Sequence, residues 1–219
     1  MRPIKTMLIS AAAILLICAP SWAGPVEDLS ELQKGLKSVR VAFKQKKHTE
    51  LLPRPVKSRG TFYFSQGSGV RWEYDGQMVV IYDNSTLYLH YTEMGEAEKV
   101  DGIAGFNGPL SFNVVDLQKN YDIRAKRSDT GDITLTLVPE ARMPFASMLM
   151  SFRKGKPFPY EVRVREESGD ETVISFEKPE LNNKLKKSLF VFKPPARGQG
   201  PRAKVRINDR RQIWISLMP

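Results

Sequence analysis

The chain has 219 residues, 41% of them hydrophobic, with 34 Lys and Arg against 24 Asp and Glu for a formal net charge of +10. That length suits one domain with a sizeable core. A single cysteine, Cys18, excludes a disulfide scaffold and a thiolate metal cluster.

Residues 1–23 read as a secretory signal. Arg2 and Lys5 form a basic start, Met7–Ile17 an apolar run too short to span a bilayer, and Ser21-Trp22-Ala23 a small-x-small site predicting cleavage before Gly24. Cys18 falls inside this segment. Leu15-Leu16-Ile17-Cys18 invites a lipid-attachment reading, which the bulky Ile17 disfavours. The mature chain is expected to be exported, soluble and free of cysteine. Loss of Arg2 and Lys5 lowers the charge to +8, and residues 196–219 hold six basic residues against Asp209. The body, 24–195, therefore keeps only +3, and the Gly/Pro/Arg-rich tail is expected to be solvated, the alternative being attraction to anionic lipid or an acidic partner. Nucleic acid is not an expected partner.

Pro25–Lys37 predicts a helix. Pro25 suits its first turn, Glu27 and Asp28 favour its positive end, and Leu29, Leu32 and Leu36 lie at helical spacing. From Val39 to Glu50 the period switches to two, and Val56–Ser65 returns as a second strand after Pro53 and Pro55. Gly60–Tyr91 then shows three turn signals between aromatic and β-branched runs, which predicts an antiparallel meander. Phe62 and Phe64 share one face, as do Val70, Trp72 and Tyr74. One side of this sheet is an aromatic wall, either an ordinary core or the lining of a cavity.

Beyond it, Gly95–Val100 reads as a polar strand, 101–107 as a glycine-rich segment, and Pro109–Lys119 as a short helix carrying Leu110, Val114 and Leu117, with Phe112 nearby. Five further strands are expected at Tyr121–Arg127, Ile133–Val138, Ser147–Arg153, Tyr160–Glu166 and Glu171–Glu177, with Phe190–Phe192 as a last short one. The expected architecture is mainly β with short α-helices. About eleven antiparallel strands should curl toward a barrel, with the helices across its open mouth. No repeat or second domain is visible.

Nothing in the sequence announces a reaction. His48 and His90 have no partner at metal-ligand spacing, and no nucleophile elbow or phosphate loop occurs. Asn84-Ser85-Thr86 is a sequon in form only. The expectation is a binding protein without catalytic residues, metal or cofactor.

An ordered set of short motifs carries a family likeness: Phe43-Lys44-Gln45, Gly60-x-Phe62-x-Phe64, Val70-Arg71-Trp72-x-Tyr74, Asp83 with Leu87-Tyr88, Pro109-Leu110, and Phe190-x-Phe192-x-Pro194-Pro195. On these the chain resembles the LolA family of periplasmic outer-membrane lipoprotein carriers over about Leu29–Pro195. The resemblance implies an unclosed antiparallel β-barrel with a helical lid over an apolar cavity. It implies acylated lipoproteins as cargo, received from an inner-membrane ABC-type release complex and passed to an outer-membrane receptor, and a monomeric carrier. By correspondence, acyl-lining positions are Phe62, Phe64, Val70, Trp72, Tyr74, Val80 and Leu110, and lid positions Leu32, Leu36, Phe112 and Val114. The family commonly has Arg-Pro in the turn where this chain has Gln66-Gly67. Gln66 is thus the lid-contact candidate, lacking the charge and five-donor fork of arginine. Alternative roles are carriage of another lipid or glycolipid, a lipoprotein-binding sensor module, or a receptor tethered through Cys18.

Overall fold

In a computed structural model of the chain, described over residues 24–83, 86–101, 112–140, 143 and 145–193, helix α1 spans Pro25–Lys34 and leads directly into the sheet. The helix starts at Pro25, with Glu27 and Asp28 in the first turn, and Gly35 caps its end. Strands β1 (Ser38–His48), β2 (Val56–Ser65), β3 (Gly69–Tyr74), β4 (Met78–Tyr82), β5 (Thr86–Tyr91) and β6 (Glu96–Asp101) follow. A four-residue helix α2 (Val114–Leu117) precedes β7 (Tyr121–Arg127), β8 (Ile133–Pro139), β9 (Phe145–Phe152), β10 (Glu161–Glu166) and β11 (Glu171–Leu181).

The eleven strands form one antiparallel sheet in the order β6-β5-β4-β3-β2-β1-β11-β10-β9-β8-β7. Every neighbour is a meander neighbour except β1 and β11, whose pairing joins the two halves. Strands β6 and β7 stand at the two edges, so the barrel stays unclosed. Its curl is visible in side-chain reach. Phe62 on β2 meets Phe158, in the β9–β10 connection, with ring centroids 5.6 Å apart.

The register places inward residues in rows across the sheet. Val39, Phe64, Val70, Tyr82 and Leu87 are successive partners on β1 to β5, and Val41, Phe62, Trp72, Val80 and Leu89 form the next row. Period-two alternation along each strand has become a layered wall across five of them. Gly60 leaves room in the third row. A Cβ there would lie 1.8 Å from the Glu73 carbonyl oxygen and 3.0 Å from the Phe43 ring.

One expected strand is absent. Lys187–Phe190 is a 3-10 turn, and the segment to Lys193 makes no ladder. It meets the outer face of strands whose backbones are already paired on both sides, so it docks through side chains. Phe190 is buried, Phe192 stacks on Tyr88 at 4.7 Å, and Arg71 donates to the Leu189 carbonyl at 3.1 Å. The signal segment, the glycine-rich 102–107, Pro109-Leu110, the sequon at 84–85 and the tail 196–219 lie outside the described residues.

Candidate functional site

The concave face gathers aromatic rings from both halves of the sheet. Trp72 lies edge-on to Phe43 at 5.0 Å and to Phe62 at 4.8 Å, and Phe176 on β11 lies 6.0 Å away. Such T-shaped pairs each contribute about 0.5–1.5 kcal/mol beyond their burial. Two further rings come from connections rather than strands. Phe112, just before α2, and Phe158 stand 5.6 Å from Phe176 and 5.1 Å from it respectively, and both touch Phe62. These two rings fill the hollow that the wall would otherwise present.

Phe112 is held at a conformational cost. Its φ is +59°, a left-handed backbone that costs a non-glycine residue roughly 1–2 kcal/mol. What holds it is Gln33, a buried polar side chain on α1. Its amide nitrogen donates to the carbonyls of Phe112 and Pro157, both at 3.0 Å, and its amide oxygen accepts from the Val114 N–H at 2.8 Å. One side chain thus fixes both filling rings and the start of α2. The Asn113 side chain adds an N-cap, accepting from the Asp116 N–H at 3.1 Å.

Between α1, α2 and the β2–β3 turn a cleft of about 270 Å³ remains, lined by Leu36, Phe64, Val70 and Tyr82 behind polar Ser30 and Asp116. That volume falls at the lower edge of small-molecule pockets, roughly 300–1,000 Å³. At the far end of the hollow, the Tyr74 hydroxyl donates to the Gln45 side-chain oxygen at 3.2 Å, and burial keeps this phenol protonated well above its ordinary range. The Trp72 indole N–H, at the centre, has no acceptor among the described residues. Leaving such a donor unmatched costs about 1–3 kcal/mol.

Of the expected lining residues, Phe62, Val70, Trp72, Tyr74 and Val80 are buried on the concave face, and Phe64 is half-buried at the cleft. Leu110 lies outside the described residues. Among the expected lid residues Leu36, Phe112 and Val114 are buried, whereas Leu32 is 38% exposed. The buried residues of α1 are Leu29 and Gln33, with Leu36 just past its cap, and Leu32 stands one position round from Gln33. Gln66, the expected lid contact, lines the cleft but is exposed, and among the described residues its one hydrogen bond runs from its backbone N–H to the Lys37 carbonyl at 2.9 Å. The side chain that bonds α1 to the segment before α2 is Gln33. The sequence carried one signal for it: a lone polar residue at the i+4 position of an apolar helical stripe.

Chemically, the arrangement offers an apolar hollow, a hydrogen-bonded cover and one unmatched donor. Among the described residues no three His, Cys, Asp or Glu side chains group to hold a metal ion.

Known proteins of like sequence point the same way. The sequence model of the family described as outer membrane lipoprotein carrier protein LolA matches residues 34–193. A protein of Cupriavidus taiwanensis named outer-membrane lipoprotein carrier protein is 28% identical over 202 residues, covering 86% of this chain and 94% of its own length. One of the same name from Alcanivorax borkumensis is 23% identical over 200 residues, covering 87% and 95%. Among solved structures, an uncharacterized conserved protein from Thermus thermophilus superposes with a TM-score of 0.50 at 13% identity, covering 80% of this chain and 97% of that one. That last likeness is one of fold alone.

Proposed function

This chain belongs to the LolA family of outer-membrane lipoprotein carriers, and from that premise we propose that it shelters lipoprotein acyl chains in its concave hollow while they cross the periplasm. The reading includes receipt of cargo from an inner-membrane ABC-type complex and delivery to an outer-membrane receptor. It assigns binding and release, with no covalent step. The observation that carries it is the pairing of an aromatic wall with a cover that fills the same space and hangs on one side chain, Gln33.

An acyl chain exposed to water costs about 0.8 kcal/mol per methylene, so an acylated protein does not leave a membrane for water unaided. A carrier must offset that cost yet release its load. Here the empty hollow is occupied by Phe112 and Phe158, so cargo competes with self-packing rather than entering a void. The competition weakens binding by the free energy of the displaced cover, which favours release. The unmatched Trp72 N–H would gain an acceptor from an ester or amide carbonyl at the head of an acyl chain.

Purification of the chain from its native periplasm, followed by protein and lipid mass spectrometry of what travels with it, tests the reading. Acylated lipoproteins are the expected cargo. Recovery of free lipid or glycolipid alone would replace the lipoprotein assignment with carriage of that lipid, and recovery of neither would remove it.

A further inference from the structure

We propose that the β1–β2 hairpin tip is a docking surface for an anionic phospholipid bilayer. The inference rests on a part of the molecule remote from the hollow and does not depend on what the hollow holds. Residues 24–195 contain 26 Lys and Arg and 23 Asp and Glu; six of the former and only one of the latter fall within 44–59. This hairpin therefore carries +5 while the rest of the body sums to −2. It is the cationic pole of a body that is otherwise slightly acidic.

Nor are these charges all neutralised locally. Lys44 pairs with Glu177 at 2.6 Å, Lys47 with Glu166 at 3.3 Å and Arg59 with Asp75 at 3.0 Å. Lys46, Arg54 and Lys57 have no such carboxylate among the described residues. Lys46 and Lys57 are direct cross-strand partners, with Lys44 and Arg59 paired two residues further along the ladder. Opposed like charges destabilise a strand pair, so this ladder is a cost the fold itself does not need. The acidic β10–β11 turn beside it engages Lys47 and stands next to His48, and on the other flank Asp75 engages only Arg59.

The tip adds an apolar point. Leu51 is 89% exposed, Leu52 49% and Val56 39%. The turn is nonetheless formed, since the Leu52 N–H donates to the Thr49 carbonyl and the Leu51 N–H to the Thr49 hydroxyl. The β2–β3 ladder begins only at Gly60, with Arg59 still bonded to Asp75 in the following turn, so Val56–Ser58 project past their neighbour. Two leucines at a narrow tip bury far less than the roughly 1,200 Å² of a stable protein interface. Leucines ringed by cations fit the headgroup boundary of an anionic bilayer, where apolar insertion and attraction to phosphate act together.

The test uses the full mature chain, whose lack of cysteine allows a unique environment-sensitive dye at Leu51→Cys, with Ser168→Cys on the neighbouring turn as control. On mixed phosphatidylcholine–phosphatidylglycerol vesicles the dye at 51 should shift to the blue and that at 168 should not; phosphatidylcholine alone should give neither shift. In co-sedimentation, Lys46→Gln with Lys57→Gln should lower vesicle partitioning by about thirtyfold, and Leu51→Ser with Leu52→Ser should abolish the dye-independent, salt-resistant part. Unchanged partitioning in both double variants would assign any binding to the tail and overturn the proposal. So would hairpin variants that lose an acidic protein but keep the vesicle. Acyl-probe uptake in solution should be unaffected by either variant, which separates this result from the carrier reading.

Discussion

Gln33 is the residue on which the closed state turns. Replacing it by leucine keeps the volume but strips partners from the buried Phe112 carbonyl and Val114 N–H and the part-buried Pro157 carbonyl, each buried group costing about 1–3 kcal/mol when unmatched. Gln33→Leu should therefore lower the thermal midpoint by several degrees and raise affinity for an acyl probe, because the cover then competes less well. Phe112→Ala should act in the same two directions, with a stability loss of about 3–5 kcal/mol; its left-handed backbone strain remains, because alanine also carries a Cβ. A calorimetric scan beside a probe titration checks both; loss of stability with loss of affinity would show that these groups support the site rather than occlude it. His90 gives a pH signature. Burial first, and then the nearby Arg71, hold its imidazole below the usual histidine range, and its ring lies 6.1 Å from Phe192. A histidine kept neutral in the fold stabilises fully above the ordinary pKa of about 6.5 and loses that contribution as pH falls from there through its lower folded value. Docking of the Phe190–Phe192 segment should loosen in mild acid, and His90→Phe should flatten the pH dependence of the midpoint between neutral and mildly acidic solution. At this scale the sequence was readable where periodicity governs, as at Phe62 and Trp72. It was less readable where a single hydrogen-bonding side chain decides: the place of Gln33 in an apolar helical stripe marks it as inward, but nothing local names its partners Phe112, Pro157 and Val114.

Among elements, β2 and β7 have the expected bounds, and most other strands differ by one to three residues. The larger departures have a common cause in tertiary pairing. Strand β11 runs to Leu181, beyond the expected Glu177, because β1 offers partners as far as Val39. Phe190–Phe192 has strand composition yet no free ladder to join, so its aromatic rings dock on a sheet face instead. Composition reports which residues favour a pleated surface, not whether an edge is open to receive them. The β2–β3 pair shows how tightly the wall is set. Gly60→Ala puts a methyl into the Glu73 carbonyl, so β2 or β3 must shift; the expected loss is about 3 kcal/mol, with Phe43 and Trp72 displaced. Urea unfolding of that variant measures it, and a change below a few tenths of a kcal/mol would mean the strands separate freely there.

Across the whole molecule, two asymmetries define the carrier: an aromatic inside against a polar outside, and a cationic hairpin against a mildly acidic body. The first was visible in the sequence as alternation; the curl followed from a strand count too high for a flat sheet, and the unclosed barrel from the family resemblance. The second was hidden by the chain's overall basicity, to which the tail and the signal segment contribute seven of the ten formal charges. How full the hollow is could not be read beforehand, because Phe158 comes from a connection with no periodicity to place it. The central claim is that hydrocarbon replaces the protein's own rings inside the wall. Its most direct measurement is quenching of Trp72 by a nitroxide-bearing acyl chain, in mature chain carrying Trp214→Phe so that Trp72 is the sole emitter. The account predicts saturable quenching, at lower probe concentration in Gln33→Leu than in the unmodified chain. Acyl binding that leaves Trp72 emission untouched in both would place the cargo elsewhere and contradict the account.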